Sequence, residues 1–131
     1  MIYFISGHRD LTQEEFDKYY IPKISKILDS DYDAEFVIGD LEGCDKMALE
    51  FLLAQPIYDF ITIYYVDNIR IKAFGEIPTN FENVYIIQRN TYDECDEAMT
   101  ECSDFDIAWV RPGKEDSHTA MNIKRRYYGK V

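Results

Sequence analysis

The hydrophobic positions of this chain fall into two patterns that alternate along its length. Short, largely apolar runs occupy residues 2 to 5, 35 to 39, 60 to 66, 84 to 87 and 107 to 110. Largely apolar runs of this length are typical of strands buried on both faces of a parallel sheet. Between them, apolar residues recur every three or four positions, as on the buried face of a helix. The pattern therefore predicts strands that alternate with helices.

The predicted helices carry local start and stop signals. Thr12 and Glu15 match a capping box ahead of the first helix, and Pro22 falls inside its apolar pattern, where it is expected to kink or split the helix. The later signals are a stop at Pro56, a cap at Asn90 or Thr91, and a cap at Ser117 or Thr119. Residues 67 to 83 show no clear pattern, and both an edge strand and an extended lid are compatible with them.

Strands that alternate with helices of this length indicate βαβ units with right-handed crossovers and a sheet covered on both faces. We therefore expect an α/β fold, a single three-layer Rossmann-like domain over residues 1–131 with a mostly parallel, doubly wound five-stranded sheet. At 131 residues the chain is long enough to bury one core and too short for two. In such a sheet the ligand binds at the carboxyl ends of the strands, near the point where the strand order reverses.

Charge narrows the range of partners. The formal net charge is -11. A field of that sign repels nucleic-acid backbones and anionic membrane surfaces, so neither is expected as a partner. The basic residues cluster at residues 124 to 126, with Lys130 nearby. Favourable placement of cations at a helix C-terminus explains this cluster better than a partner-binding patch does.

Cysteine usage is typical of a reducing compartment. Cys44, Cys95 and Cys102 show no metal-binding spacing, and their odd number argues against a disulfide framework. Cys95 and Cys102 fall on the apolar face of the helix after the fourth strand, so both are expected to be core residues. Met1 leads directly into an apolar run without a basic segment, and a cytoplasmic location is expected, in the host cytoplasm if the protein is viral.

Two histidines and two acids, His8, Asp10, Asp116 and His118, could meet across two loops. Two imidazoles with two carboxylates are a plausible zinc or manganese set. Their spacing matches no metal motif, so neither a metal nor any other cofactor is expected. A serine nucleophile is not expected either, because the chain has no GxSxG motif, and Cys44 has no evident base beside it.

The segment from residue 106 to residue 126 favours an anion as the ligand. It combines a predicted strand, a turn signal at Pro112 and Gly113, and a helix whose first turn holds Ser117 and Thr119. The free amides and the positive end of a helix dipole face the preceding loop, and small hydroxyl residues leave room for a phosphate or a carboxylate. The sequence therefore predicts a small anionic ligand, with a nucleotide as the favoured class.

Four polar loops follow predicted strands, and parallel strands bring their carboxyl ends to one edge of the sheet. The loops occupy residues 6–10, 39–45, 89–90 and 111–119. For any single glycine in them, a tight turn between strand and helix is a sufficient explanation. Together the loops place glycine, arginine, serine and threonine on one rim, which favours a phosphate-binding cleft.

These loops contain four short motifs: Ser6-Gly7-x-Arg9, Gly39-x-x-x-Gly43-x-Asp45, Arg89 followed by Met99, and Gly113-x-x-x-Ser117-x-Thr119. Over nearly its whole length the chain resembles the SLOG superfamily of Rossmann-like nucleotide-binding domains, which contains the LOG cytokinin-activating phosphoribohydrolases and the YpsA- and DprA-type domains. The resemblance implies a nucleotide or nucleoside derivative as ligand and a homodimer formed through helices beside the cleft. The ligand-binding residues that it implies are Ser6, Gly7, Arg9, Gly39, Gly43, Arg89, Gly113, Ser117, Thr119 and Asn122.

The last motif departs from the LOG pattern, which ends in Gly-Thr-x-x-Glu. His118 replaces the glycine, and Asn122 stands where the glutamate would be. An amide can hydrogen-bond a ribose hydroxyl but cannot act as a general base. We therefore expect a ligand sensor or sequestering protein with weak or no N-glycosidic hydrolysis. If a reaction is catalysed, Asp40 and Asp45 are the acidic candidates, and charging the start of the next helix is their structural alternative.

Two other functions stay open at this point. One is an active nucleoside-monophosphate phosphoribohydrolase of the LOG type. The other is a structural or interaction protein that has kept the fold and lost the ligand, for which 11 tyrosines and 8 phenylalanines supply aromatic surface. The interaction protein is favoured if Arg9 and Arg89 pair with acids and no open cleft joins the loops.

Overall fold

The computed structural model describes residues 1–56, 60–67 and 83–128. The prediction for residues 67 to 83 falls almost entirely outside this part of the chain. The elements in chain order are β1 (Ile2–Ser6), α1 (Gln13–Tyr19), α2 (Ile21–Ser30), β2 (Glu35–Ile38), α3 (Cys44–Leu53), β3 (Phe60–Tyr65), β4 (Val84–Gln88), α4 (Tyr92–Cys102), β5 (Phe105–Ala108) and α5 (His118–Tyr128).

The strands form one sheet in the order β4-β3-β2-β1-β5, and each neighbouring pair is parallel. The order runs outward from β1 to β4 and then returns to the other side of β1, so it reverses between β1 and β5. Ser6, the last residue of β1, pairs with Ala108, the last residue of β5. The predicted α/β, Rossmann-like fold class is confirmed, and the reversal point places the expected ligand site beside Ser6.

The break between the first two helices follows the predicted proline effect. Tyr20 is both the C-cap of α1 and the N-cap of α2, and Pro22 lies in the first turn of α2, where its missing N–H costs no helical hydrogen bond. The capping box is present, since the Thr12 amide donates to Glu15 Oε1 at 3.0 Å and the Glu15 amide donates to Thr12 Oγ1 at 3.1 Å. Both predictions for this segment are therefore confirmed.

Alternation along the strands divides the buried side chains into two cores, one on each face of the sheet. On the face covered by α1, α2 and α3, the core includes Ile5, Phe16, Ile24, Phe36, Leu49 and Ile63. On the face covered by α4, a smaller core contains Phe4, Val37, Tyr64, Val66, Cys95 and Met99. Helix α5 packs beside α4 and against β5. The smaller core leaves room at the carboxyl edge of the α4 face.

Two predictions about the end of the chain need correction. Strand β5 covers Phe105–Ala108 instead of residues 107 to 110. Its charged residue Asp106 is accommodated because Arg126 on α5 donates to both carboxylate oxygens, at 2.8 and 3.0 Å. Cys102 is exposed and not a core residue, because it is the last residue of α4, whereas Cys44 and Cys95 are buried.

The basic cluster at the end of α5 takes part in the fold, as its position at a helix C-terminus suggested. Arg126 also donates to the carbonyl oxygen of Ser103 at 2.9 Å, so it ties α5 to β5 and to the end of α4. Arg125 donates to Asn122 at 2.6 Å. Separately, no helix in the described ranges combines the length and the apolarity that crossing a membrane requires.

Candidate ligand-binding cleft

A cleft of about 400 Å³ opens at the carboxyl edge of the sheet, on the face covered by α4 and α5. The loops after β1 and β2, the first turns of α5 and one side of α4 line it. Eight of the residues predicted from sequence lie in this lining: Ser6, Gly7, Arg9, Gly39, Asp45, Ser117, Thr119 and Asn122. The cleft therefore lies beside the reversal point between β1 and β5.

Four predicted residues, Asp40, Gly43, Arg89 and Gly113, are not part of the cleft lining. Arg89 follows β4, which lies three strands from β1, or roughly 14 Å across the sheet. Its guanidinium donates to the carbonyl oxygen of Gln88 at 3.0 Å and lies 5.6 Å from the centre of the Tyr64 ring. Asp40 is fully buried. The loop after β4 therefore does not share the cleft with the other loops.

The glycines of the first two loops allow close packing around the cleft. A Cβ atom on Gly7 would lie 2.6 Å from atoms of both Cys44 and Tyr20. A Cβ atom on Gly39 would lie 2.7 Å from Asp45 Oδ2, so this glycine leaves space for a carboxylate. Gly43 has a φ of 76° and would bring a Cβ atom within 2.2 Å of the Arg9 carbonyl oxygen. These glycines shape the site without needing to touch the ligand.

Gly113 has a different role, because no atom of the described residues lies within 4 Å of the position that a Cβ atom would take there. Its φ of 90° is the feature that favours glycine. Its amide donates to Glu115 Oε1 at 3.1 Å, within the turn that leads to α5. The residue predicted as part of the anion cradle thus shapes the connecting loop.

Ser6 offers the cleft an unused hydroxyl group. The residue is 6% exposed, and among the described residues its Oγ has no hydrogen-bond partner. Because Ser6 stands two residues after Phe4 on β1, its side chain points to the same face as Phe4, towards α4. A buried hydroxyl without a partner loses the hydrogen bonds it would make with water, unless a ligand supplies one.

The first turn of α5 adds further donors. The Ser117 hydroxyl accepts from the Ala120 amide at 3.3 Å, as predicted for a capping residue. The amides of His118 and Thr119 have no acceptor within the helix, since the first amides of any helix lack one. Thr119 is buried at 3% exposure and lines the cleft. The start of α5 therefore presents amides and a hydroxyl where an anion is favoured.

Asp96 is the main cleft residue that sequence reasoning missed. Asn122 lies beside the Asp96 carboxyl group and lowers its pKa against the larger effect of burial, and Arg125 Nη1 donates to Asn122 Oδ1 at 2.6 Å. The Asn122 side chain, which was expected to orient a sugar, accepts this hydrogen bond from Arg125 through its Oδ1. The carboxylate of Asp96 on α4 therefore stands beside the side-chain amide of Asn122 on α5. The available signal was helical spacing, since Asp96 stands with Tyr92 and Met99 on the apolar side of α4.

Two carboxyl groups in the cleft have raised pKa values. Burial raises the pKa of Asp45 to about 7, despite the hydrogen bond that its Oδ2 accepts from the Leu41 amide at 3.1 Å. Burial also raises the pKa of Asp96 to about 6, and the charge of Asp93 adds to this effect. Near neutral pH, Asp45 is therefore present in both protonation states.

The histidines and acids proposed as a possible metal set do not meet. His8 Nε2 accepts a hydrogen bond from the Arg111 amide at 2.9 Å, and the Arg111 side chain pairs with Asp10 at 3.0 Å and with Glu15 at 2.7 Å. Burial, followed by the charge of Arg111, lowers the pKa of His8. His8 is thus a neutral acceptor that joins the loop after β1 to the loop after β5.

His118 lies instead beside two acids of α4, Asp93 and Asp96. One ligand atom from each of the three residues lies within 4.8 Å of the others. Asp116 is exposed and outside this group. Cys44 offers no nucleophile, because burial raises the pKa of its thiol well above the usual value.

Comparisons of this chain with protein-family models, with curated proteins and with solved structures find no match in any of the three.

Proposed function

We propose that the cleft binds a small phosphorylated ligand of the nucleotide or nucleoside-derivative class, and that the protein acts as a sensor or a sequestering protein for it. The observation that carries this proposal is the Ser6 hydroxyl, which is buried, lines the cleft and has no partner among the described residues. The resemblance to the SLOG superfamily points to the same class of ligand.

We propose that the phosphate of this ligand binds at the start of α5. The amides of the first turn, the Thr119 hydroxyl and the Ser6 hydroxyl are donors around this end of the cleft. Arg9 lines the cleft too, and among the described residues it forms no salt bridge. A charged hydrogen bond of this kind contributes roughly 1.5 to 3 kcal/mol to binding.

The rest of the cleft suits a nucleoside. The rings of Tyr64 and Tyr92 line it and offer flat surfaces for a base. The carboxylates of Asp45 and Asp96 are acceptors for ribose hydroxyls or for an amino group on the base. A volume of about 400 Å³ lies in the range of small-molecule sites and exceeds what inorganic phosphate needs. These features favour a nucleotide over a free anion.

The alternative of an interaction protein without a ligand is less favoured. An open cleft joins the loops after β1 and β2 to α5, and Arg9 does not pair with an acid in the described structure. Within the described ranges, Arg89 bonds to a backbone carbonyl oxygen and forms no salt bridge with a carboxylate.

Asp96 keeps N-glycosidic hydrolysis as a second candidate function. A carboxylate near the ribosyl carbon stabilises the positive charge that develops as the bond to the base breaks. Asp96 takes this place better than Asp40, which does not line the cleft. To test this activity, the protein is incubated with AMP, GMP, CMP or UMP, and the release of free base is measured by chromatography. Turnover by the wild type that Asp96→Asn abolishes would establish an enzyme, and no release would leave binding alone.

A thermal-shift screen against nucleotides, cyclic and linear dinucleotides, NAD and ADP-ribose identifies the ligand, and calorimetry with Ser6→Ala then tests the site. Ser6→Ala removes a hydroxyl without a partner, so the variant should be as stable as the wild type or slightly more stable. It should bind the phosphorylated ligand about tenfold more weakly.

The matched control is Thr100→Val. Thr100 Oγ1 is also buried without a partner in the described structure, but the residue does not line the cleft. This variant should leave the affinity unchanged. Equal affinities of the wild type and Ser6→Ala would show that the phosphate does not bind here.

A further inference from the structure

Two helices bring three metal-binding side chains to the rim of the cleft. Asp93 and Asp96 lie one turn apart on α4, and His118 is the first residue of α5. Their ligand atoms lie within 4.8 Å of one another, and His118 Nδ1 is 3.9 Å from Asp96 Oδ2. An ion about 2.1 Å from each donor would hold the donors roughly 3 to 3.5 Å apart. Asp93 and His118 are exposed, so small rotations of their side chains are enough to close this difference.

Carboxyl groups outnumber arginines in and beside the cleft. Asp45 and Asp96 line it and Asp93 stands beside Asp96, whereas Arg9 is the arginine that lines it within the described ranges and Arg125 acts on Asp96 from beside Asn122. A phosphate bound at the start of α5 would face these carboxyl groups in a partly dehydrated site, where their ionised forms repel it. A divalent ion between the carboxylates and the phosphate turns this repulsion into attraction on both sides.

The surroundings of Asp96 suit a metal ligand. Asn122 is 3% exposed and lies beside the Asp96 carboxyl group, and Arg125 Nη1 donates to Asn122 Oδ1 at 2.6 Å. Carboxylates that bind metals are commonly oriented by such second partners. The Ser6 hydroxyl, which also carries the proposed function, lies outside this set of three side chains and indicates that the same cleft receives a ligand, since it is buried and without a partner in the described structure.

We propose that Asp93, Asp96 and His118 bind a divalent first-row transition metal ion at the rim of the cleft, and that the phosphorylated ligand completes its coordination. The second half of this proposal rests on the proposed function. One imidazole with two carboxylates suits Mn²⁺ or Zn²⁺ better than Ca²⁺ or Mg²⁺. Three protein ligands leave coordination positions open for phosphate oxygens.

The metal site is tested by titrating the protein with Mn²⁺ alone. Binding is measured as the loss of the free-ion signal in electron paramagnetic resonance. Mn²⁺ is the suitable probe because it prefers oxygen and nitrogen ligands to sulfur, so the exposed Cys102 competes little for it. We expect one ion per chain in the wild type and at least tenfold weaker binding in both Asp93→Asn and His118→Gln. Glu97→Gln removes an exposed carboxylate from the same helix and should bind like the wild type.

Absence of Mn²⁺ binding by the wild type, or equal binding by all four proteins, would overturn the metal site. Circular dichroism should show that the variants keep the fold, since both substituted ligands are exposed. These outcomes do not depend on any nucleotide.

Calorimetry with the nucleotide found in the screen, with Mn²⁺ and with a chelator, tests the second half. Mn²⁺ should raise the affinity of the wild type at least tenfold and should have little effect on His118→Gln. Equal affinity with and without the metal would overturn the shared coordination and leave the proposed function intact. Failure of every nucleotide to bind under both conditions would overturn the proposed function, while the Mn²⁺ titration would still decide the metal site.

Discussion

The hydroxyl of Tyr20 donates a hydrogen bond of 2.7 Å to the carbonyl oxygen of Ser6. The same hydroxyl accepts a hydrogen bond of 3.0 Å from the amide of Trp109. Tyr20 is fully buried at the junction of α1 and α2, so one side chain ties the end of β1 to the residue after β5. These two strand ends flank the point where the sheet order reverses, and the bridge holds the floor of the cleft in place.

Tyr20→Phe should destabilise the protein, because it leaves the buried amide of Trp109 and the carbonyl oxygen of Ser6 without this partner. We expect a loss of roughly 1 to 3 kcal/mol in the free energy of unfolding, measured by urea denaturation. Tyr32→Phe removes a hydroxyl from a residue that is 88% exposed and should change little. A Tyr20→Phe variant as stable as the wild type would mean that water replaces the bridge at no cost.

Arg9 and Arg89 should contribute unequally to ligand binding, although the motifs in sequence suggested both. Arg9 lines the cleft, whereas Arg89 is outside the lining and stands 5.6 Å from the ring centre of Tyr64, which does line it. Arg9→Ala should weaken binding of a phosphorylated ligand by about tenfold or more, since a charged donor contributes roughly 1.5 to 3 kcal/mol. Arg89→Ala, which removes the same charge, should have a small effect in the same calorimetric titration. The opposite ranking would move the phosphate to the loop after β4.

Asp45 should make the protein less stable as the pH rises. The pKa of its carboxyl group is about 3.9 in an unfolded chain and about 7 in the folded protein. Between these values the folded state keeps a proton that the unfolded state has released, so stability falls from about pH 4 to about pH 7 and then levels off.

Asp45→Asn removes this dependence. We compare the free energy of unfolding of the variant with that of the wild type, measured by urea denaturation. This difference should be about 2 to 3 kcal/mol more in favour of the variant at pH 8 than at pH 5. Glu42→Gln removes an exposed carboxylate from the same loop and should leave that difference unchanged. If the gain of the Asn variant is the same at both pH values, Asp45 is ionised throughout this range.

Arg126 should stabilise the fold more than its basic neighbours do. It joins Asp106 on β5 to Ser103 at the end of α4, and both charged side chains are largely buried, at 19% and 11% exposure. Arg126→Ala leaves a buried carboxylate without its partner, so we expect a loss of roughly 2 to 4 kcal/mol. Lys124→Ala, at an exposed position on the same helix, should cost much less. Equal midpoints of thermal unfolding for the two variants would contradict this assignment.

Local patterns in the sequence were enough to identify the elements and most of their ends, although β5 begins and ends two residues before the predicted run. Apolar runs marked the strands, the Thr12 and Glu15 capping box marked the start of α1, and Pro22 marked the break before α2, because each depends only on neighbouring residues. The alternation of strands and helices also indicated the fold class. The loops after β1 and β2 were identified as parts of a site because any parallel sheet brings such loops to one edge.

Which of these loops share a cleft depended on the strand order, which local patterns do not encode. With β1 between β2 and β5, the loops around Ser6, Gly39 and Thr119 meet, while β4 at the far edge carries Arg89 away from them. The packing of α4 against α5 decided that Asp96, and not a residue of α5, places a carboxylate beside Asn122. Helices α4 and α5 come into contact only in the folded chain, where their connections pack them on the same face of the sheet. Asp96 of α4 can therefore join a site on α5 only after the fold has formed.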